Sequence, residues 1–537
     1  MAKTSRIIAF SVPFLILLSY ALLLTHPINL ITADLGRHIK NGGEIVAGNF
    51  SALKTNYYSY TFPGYPTLNH HWLGGVIFFL VWKAFGFLGV HLFFILISLS
   101  AFFIFFKLAY EKSGLAIASF IAILLMPLVL ERDEIRPEIF SNLFAAVFLF
   151  MLSRFRDGRL KPKYLLILPA LELVWVNTHI YFFLGFVIAG AFFIEALMFR
   201  RPFGGRNPDP ESHPNGIVVM NKWFSGVGAK SKPAVKKLAS VLGLMAVASL
   251  INPAGVMGVL APFDIFKNYG YTIVENQNIF FLESLIKNPN FLIFKIMFSA
   301  FFLLIVFRLI QNKRGIPASD LIFAAGFSIA AFLALRNMTL FALFAIPIAS
   351  GCVAGLIGNP VREKSRHGGT EAAPTGAAFS NVAKTNLLTV AVLLFFILSI
   401  ISGEYKSVVP YEKLGLGLSE GNNGAAEFIK NQNLEGPIFN NYDIGGYLIF
   451  NLWPERKVFV DNRPEAYPNE FFQKVYMPMQ EDEKIWREQL KIYGFKTIIF
   501  STADYTPWGR TFLARIIKDP EWSTVYKDDR VIILTKN

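Results

Sequence analysis

Long apolar runs constrain this chain more than any other feature. Residues 7–24, 115–130, 181–199, 291–309, 338–357 and 387–402 carry almost no charge. A run of that length presents no polar face to water, whereas a bilayer core about 30 Å thick accepts it as a helix. The composition agrees: 54% of the 537 residues are hydrophobic and 16% charged, against about a quarter charged in soluble domains. A polytopic α-helical membrane protein follows.

The formal charge of +14 fits Lys and Arg in cytoplasmic loops, which set topology, and no nucleic acid partner is needed to explain it. Lys3 and Arg6 precede the first apolar run, and no small-residue cleavage site follows it. That pattern reads as an uncleaved signal anchor with its N-terminus in the cytoplasm. The single cysteine, Cys352, excludes a disulfide framework or a cysteine zinc site within one chain.

Charge then orders the spans. The basic stretch RFRDGRLKPK at 154–163 belongs on the cytoplasmic side, and this holds only if residues 72–89 lie in the interface as a juxtamembrane helix. Trp72, Trp82, Lys83 and four glycines interrupt that segment. The rest alternates over about eleven spans of roughly 15–20 residues: 7–24, 91–108, 115–130, 140–152, 164–176, 181–199, 238–251, 291–309, 321–335, 338–357 and 387–402. Residues 200–237 and 362–384 are polar, basic cytoplasmic linkers. Residues 1–403 thus form a transmembrane domain, with 26–90 as a long first external loop. The sequence has no repeat of the kind that builds inverted-repeat transporters.

From residue 404 to 537 the character becomes that of an extracytoplasmic α/β domain. Helical patterns cover 422–433 and 481–493. GPIFNN (436–441), KVFVDN (457–462) and residues 496–501 read as short strands, and the tail as a hairpin around Asp528 and Asp529.

The stretch TADLGRHIKNGG (32–43) gathers Asp34, Arg37, His38 and Lys40 at a membrane edge. Other external acids are Glu131, Asp133 and Glu134 in one loop, and Glu275 and Glu283 in another. Carboxylates converging from separate loops hold a hard divalent cation, which neutralises a phosphate leaving group while a carboxylate activates the acceptor. Glu44, Glu138 and Glu283, taken singly, read as solvated loop acids. Arg37 and His38 are basic neighbours able to bind phosphate, and Arg336, at the outer end of a span, either snorkels or clamps a lipid phosphate. His38, His70, His71 and His179 share one side of the membrane, but no metal-ligand spacing supports zinc. There is no P-loop, no G-x-G-x-x-G after a strand and no nucleophile elbow, hence no nucleotide cofactor.

Five stretches taken in order carry a resemblance: DLGRHIK at Asp34, ERDEIRPE with Asp133, TIVE ending at Glu275, RNMTLFALFAIP from Arg336, and NNYDIGGYL followed by KVFVDNR. They resemble the motifs of the GT-C superfamily of membrane glycosyltransferases, in particular the oligosaccharyltransferase catalytic subunit. The D-x-D spacing and two tryptophans of that pattern are missing. YSYTFPGYPTLNHHWL (58–73) is similar to bacterial membrane proteins related to protein O-mannosyltransferases.

The resemblance implies transfer of a sugar from a polyprenyl-phosphate or -diphosphate donor to a protein, lipid or polysaccharide, at the outer face of the plasma membrane. It implies Asp34 as the residue that orients or deprotonates the acceptor and Arg336 as the donor-phosphate ligand. Asp34, Asp133, Glu134 and Glu275 would hold magnesium or manganese, and Tyr442 and Asp443 would face the acceptor. Two rivals are a GT-C scaffold without activity and a transporter. The transporter predicts charges in mid-span; the spans are nearly charge-free, with Glu172 and Glu195 the main exceptions, both toward span ends.

Overall fold

The computed structural model describes residues 2–198, 232–311, 315–357, 376–407 and 414–537. The two basic linkers fall largely outside these residues. Among the described residues seven helices are long and apolar enough to cross a membrane: Trp72–Ser113, Leu115–Arg132, Glu138–Arg156, Ile180–Met198, Pro289–Gln311, Leu335–Ile357 and Thr385–Ser402. Ser11–Leu24 and Ala318–Leu333 are shorter apolar helices. Length and composition thus account for seven to nine of the roughly eleven predicted spans. Ile167–Thr178, of 12 residues, and Lys232–Ser249, which carries three lysines, are helical but stand outside that group.

The bundle is built around Met338–Ile357, whose residues from Met338 to Ser350 are all buried. It packs against Trp72–Ser113, Leu115–Val129, Pro289–Gln311 and Ala318–Leu333. The outer helices behave oppositely. Phe302, Leu303, Ile310, Phe395 and Leu398 stand exposed on Pro289–Gln311 and Gly376–Ser402. Apolar side chains in that number facing outward match hydrocarbon as the solvent.

Trp72–Ser113 is broken at Gly86, whose φ of 63° is helical for no L-residue. The break falls inside the segment predicted to lie in the interface. On its N-terminal side the Leu35–Val46 helix crosses very closely. A Cβ on Gly42 would stand 2.1 Å from the carbonyl oxygen of Gly75, and one on Gly75 would stand 2.7 Å from that of His38. Two glycines facing each other therefore set how Asp34, at the start of the crossing helix, is presented.

The C-terminal part carries a four-stranded sheet in the order β1-β2-β4-β3, with β1 Ile438–Asn440, β2 Thr497–Ser501, β3 Trp522–Lys527 and β4 Val531–Lys536. The β1/β2 pair is parallel and the others antiparallel. Its core is aromatic, with the Phe439 and Trp486 rings in contact with each other and each in contact with Phe495 and Phe512. Helices Gly424–Gln432 and Glu483–Tyr493 and the terminal hairpin fall where the sequence places them.

KVFVDN is not a strand of this sheet. Its backbone groups are satisfied elsewhere: Val458 exchanges bonds with Tyr58 and Tyr60, and Phe459 N–H donates to the Asn440 side chain at 2.9 Å. The Ser59 and Thr61 hydroxyls donate to Phe459 carbonyl oxygen, and Asp461 N–H donates to Tyr467 Oη. An apolar run thus serves as a seam between the first loop and the C-terminal part, and it ends at Asn462.

Candidate active site

Asp34 stands at the N-cap of Leu35–Val46, yet its side chain makes no capping hydrogen bond. An N-cap carboxylate usually turns back onto the first N–H groups, an interaction of about 0.5–2 kcal/mol. Here it faces other partners. Asn462 donates its side-chain amide to Asp34 Oδ1, Arg37 Nη2 lies 3.7 Å from the same oxygen, and Arg136 Nη1 lies 3.6 Å from Oδ2. Asn462 Oδ1 also accepts from Arg37 Nε at 2.9 Å. The Asp34 side chain is about 20% exposed.

The loop ERDEIRPE contributes its arginines rather than a row of free acids. Arg132 Nη2 lies 3.0 Å from Glu138 and Arg136 Nη2 lies 2.5 Å from Glu134. Both guanidiniums meet on one oxygen, Glu275 Oε1, at 2.8 Å from Arg132 and 2.6 Å from Arg136. Burial alone would raise the Glu275 carboxyl, but Arg132 and Arg136 outweigh it and hold it well below the usual carboxylate range.

Glu275 sits on the turn Val274–Asn276, and its neighbour takes a third arginine: Arg336 Nη1 donates to Asn276 Oδ1 at 2.8 Å. The Arg336 guanidinium also lies 5.1 Å over the Tyr181 ring. Its Nε is buried with no hydrogen-bond partner among the described residues. Two adjacent side chains of one loop thus hold three arginines from two other segments.

Of the residues singled out from sequence, Asp34, Arg37, Glu134 and Glu275 join this network directly, and Arg336 joins through Asn276. Asp133 lies apart from it, paired with His26 at 3.2 Å. Among the described residues no group of three His, Cys, Asp or Glu side chains is placed to hold a metal ion. The geometry does not fit a divalent cation bound by Asp34, Asp133, Glu134 and Glu275. Where such a cation would sit, Arg132 and Arg136 already bring positive charge.

The histidines do gather, as a buried column. His38 and His71 meet edge to face at 5.6 Å, and His71 stacks on His179 at 4.9 Å. Burial, reinforced by Arg37 beside His38 and Arg336 near His179, keeps these rings far below the ordinary imidazole value. His38 is therefore held neutral and 2% exposed.

Tyr442 is buried, its ring stacked on Tyr271 at 4.2 Å, and its N–H donates to Tyr476 Oη at 2.7 Å. Tyr271 also meets the Trp508 ring at 5.9 Å. Asp443 is half-buried, and its carboxyl is pushed up to about 7 by burial and by the nearby carboxylates Asp504 and Asp34. The acceptor candidates thus lie within electrostatic reach of Asp34.

Sequence reasoning passed over Arg132, Arg136, Asn276 and Asn462. Their signal was present, as arginines spaced four apart among acids and as an Asp-Asn pair closing an apolar run.

No family model and no curated protein sequence matches this chain. Solved structures do. The apo oligosaccharyltransferase from Archaeoglobus fulgidus superposes with a TM-score of 0.56 at 12% identity, covering 92% of this chain and 69% of that one. AglB, the archaeal oligosaccharyltransferase from the same organism in complex with an inhibitory peptide and a dolichol-phosphate, gives 0.52 at 12% identity over the same shares, 92% and 69%. ArnT from Cupriavidus metallidurans in the apo state gives 0.51 at 14% identity, covering 99% of this chain and 98% of that one. The chain is an integral membrane protein that shares the fold of these solved structures.

Proposed function

We infer that the protein transfers a sugar from a polyprenyl-phosphate or -diphosphate carrier to an acceptor at the outer face of the plasma membrane, with its N-terminus in the cytoplasm. The observation that carries this reading is the placement of Asp34. On a GT-C fold, a carboxylate freed from its capping duty is oriented by Asn462 and flanked by Arg37 and Arg136. An AglB structure of the same fold was solved with a dolichol-phosphate, which supports a lipid-linked phosphate donor.

In the reaction proposed, the acceptor's nucleophilic atom attacks the sugar's anomeric carbon. The bond from that carbon to the phosphate oxygen breaks, and the phosphate leaves on its lipid with the electron pair. Asp34 takes the acceptor's proton as the new bond forms. Arg336 and Arg37 stand ready to hold the phosphate. The Tyr442, Tyr271 and Trp508 rings form an aromatic surface beside Asp443 for the acceptor.

A GT-C scaffold without activity is the second reading, favoured by the closure of the site through its own ion pairs. One experiment separates the two. Purified protein in nanodiscs is offered a panel of radiolabelled polyprenyl-linked sugars with membrane extract as acceptor. Transfer that falls about 10²- to 10⁴-fold in Asp34→Asn supports catalysis. No transfer from any donor, or the parent rate in Asp34→Asn, overturns it.

A further inference from the structure

We propose that the donor's phosphate docks on Arg132 and Arg136 by displacing Glu275, so that two guanidiniums serve in place of a divalent metal. The inference rests on the lipid-phosphate donor proposed above and says how this chain holds it.

Three observations carry it. First, Arg132 and Arg136 converge on a single carboxylate oxygen, at 2.8 and 2.6 Å. Planar guanidiniums brought together this way match the several oxygens of a phosphate better than one oxygen of a carboxylate. Second, both arginines are largely withdrawn from water, with 11% and 19% of their side chains exposed. Charges so placed need anions nearby: Glu138 pairs with Arg132 and Glu134 with Arg136, and Glu275 is the anion that the two arginines share. Third, the same turn engages Arg336 through Asn276, while Arg336 Nε is buried without a partner among the described residues. A phosphate entering between the turn and the arginines gives that N–H an acceptor and frees Glu275 and Asn276 together.

The charges are consistent with this exchange. A sugar joined to a polyprenyl chain through one phosphate is a diester with a single negative charge, equal to that of the carboxylate it displaces. A divalent cation at that oxygen would be repelled by both guanidiniums, 2.8 and 2.6 Å from it, while Glu138 and Glu134 stay paired with those same arginines.

Glu275 gives the test its sign. If it is a placeholder, removing its charge strengthens phosphate binding; if it ligates a metal, removing it weakens binding. Full-length protein in nanodiscs is titrated with undecaprenyl phosphate in EDTA, binding being read by thermal stabilisation. The proposal expects binding without metal, at least fivefold tighter in Glu275→Gln and at least tenfold weaker in Arg136→Gln, with Arg136→Lys in between. Inorganic phosphate at the same concentrations should leave the melting temperature unmoved; equal stabilisation by it would make the ligand a free phosphate and overturn the proposal. Binding that appears only with magnesium or manganese, and is lost in Glu275→Gln, overturns the proposal while the glycosyl-transfer reading stands. No binding under either condition overturns both.

Discussion

Asn462 donates its side-chain amide to Asp34 across 428 residues of sequence, and the same side chain accepts Arg37 Nε at 2.9 Å. One amide of the C-terminal part therefore fixes both a carboxylate and a guanidinium of the first loop. Asn462→Ala removes both bonds. Hydrogen bonds to charged groups contribute about 1.5–3 kcal/mol, so kcat should fall roughly 10- to 150-fold with donor KM little changed. Steady-state transfer assays check this, and a change in KM alone would make Asn462 a binding residue instead.

Arg336 combines a bond to Asn276 with a stack over Tyr181, and both depend on a planar guanidinium. Arg336→Lys keeps the charge but should raise donor KM about tenfold. Tyr181→Phe keeps the ring face and should change KM less than threefold. Tyr181→Leu should resemble Arg336→Lys. The order of the three variants distinguishes a stacked fork from a mere point charge.

Asp443 supplies a pH signature. Its ordinary value of 3.8 is pushed up to about 7 in the folded protein by burial and by Asp504. Between those values the folded chain keeps a proton that the unfolded chain has lost. The stability this contributes is fully present below about pH 4 and is lost as pH rises through 7. Asp443→Asn carries no such loss. Its melting temperature relative to the parent should climb by roughly 2–4 °C or more from pH 4 to 7 and level off above. A difference that stays flat with pH would place the Asp443 carboxyl in water.

The crossing at Gly42 and Gly75 leaves no room for a methyl group. Gly42→Ala sets a Cβ 2.1 Å from a backbone oxygen, which cannot rotate away, so a cost of about 1–3 kcal/mol or more is expected. Gly190→Ala, in a helix with nothing within 4 Å of its Cβ, should be neutral or stabilising by up to about 1 kcal/mol. Thermal unfolding of the pair separates close approach from a general effect of helix glycines.

The membrane bundle was legible because an apolar run declares its own solvent, and each predicted span meets a helix among the described residues. The count was less legible. Ile167–Thr178 has only 12 residues in its helix, and hydropathy does not say whether so short an element crosses. Asp34, Glu275 and Arg336 were readable as charges at membrane edges. Their company was not, because the acids of ERDEIRPE suggest oxygen ligands while its arginines form the contacts. The histidine column was unreadable in principle, since His38, His71 and His179 come from separate segments whose spacing encodes no common face. KVFVDN has the composition of a strand, and only the Asn440 side chain and the first loop reveal that its backbone bonds lie elsewhere.

The contact between Asn462 and Asp34 also has a consequence in time. A ribosome adds about 5–20 residues per second, so the 428 residues between them take roughly 20–90 s to synthesise. Throughout that interval the nascent chain carries Asp34 while the amide that holds its carboxylate does not yet exist. A chain released after Thr385–Ser402 and before Asn462 keeps the spans and the acid without the amide that holds it. The Asp34 carboxylate thus gains the hydrogen bond that orients it only after Asn462 has been made.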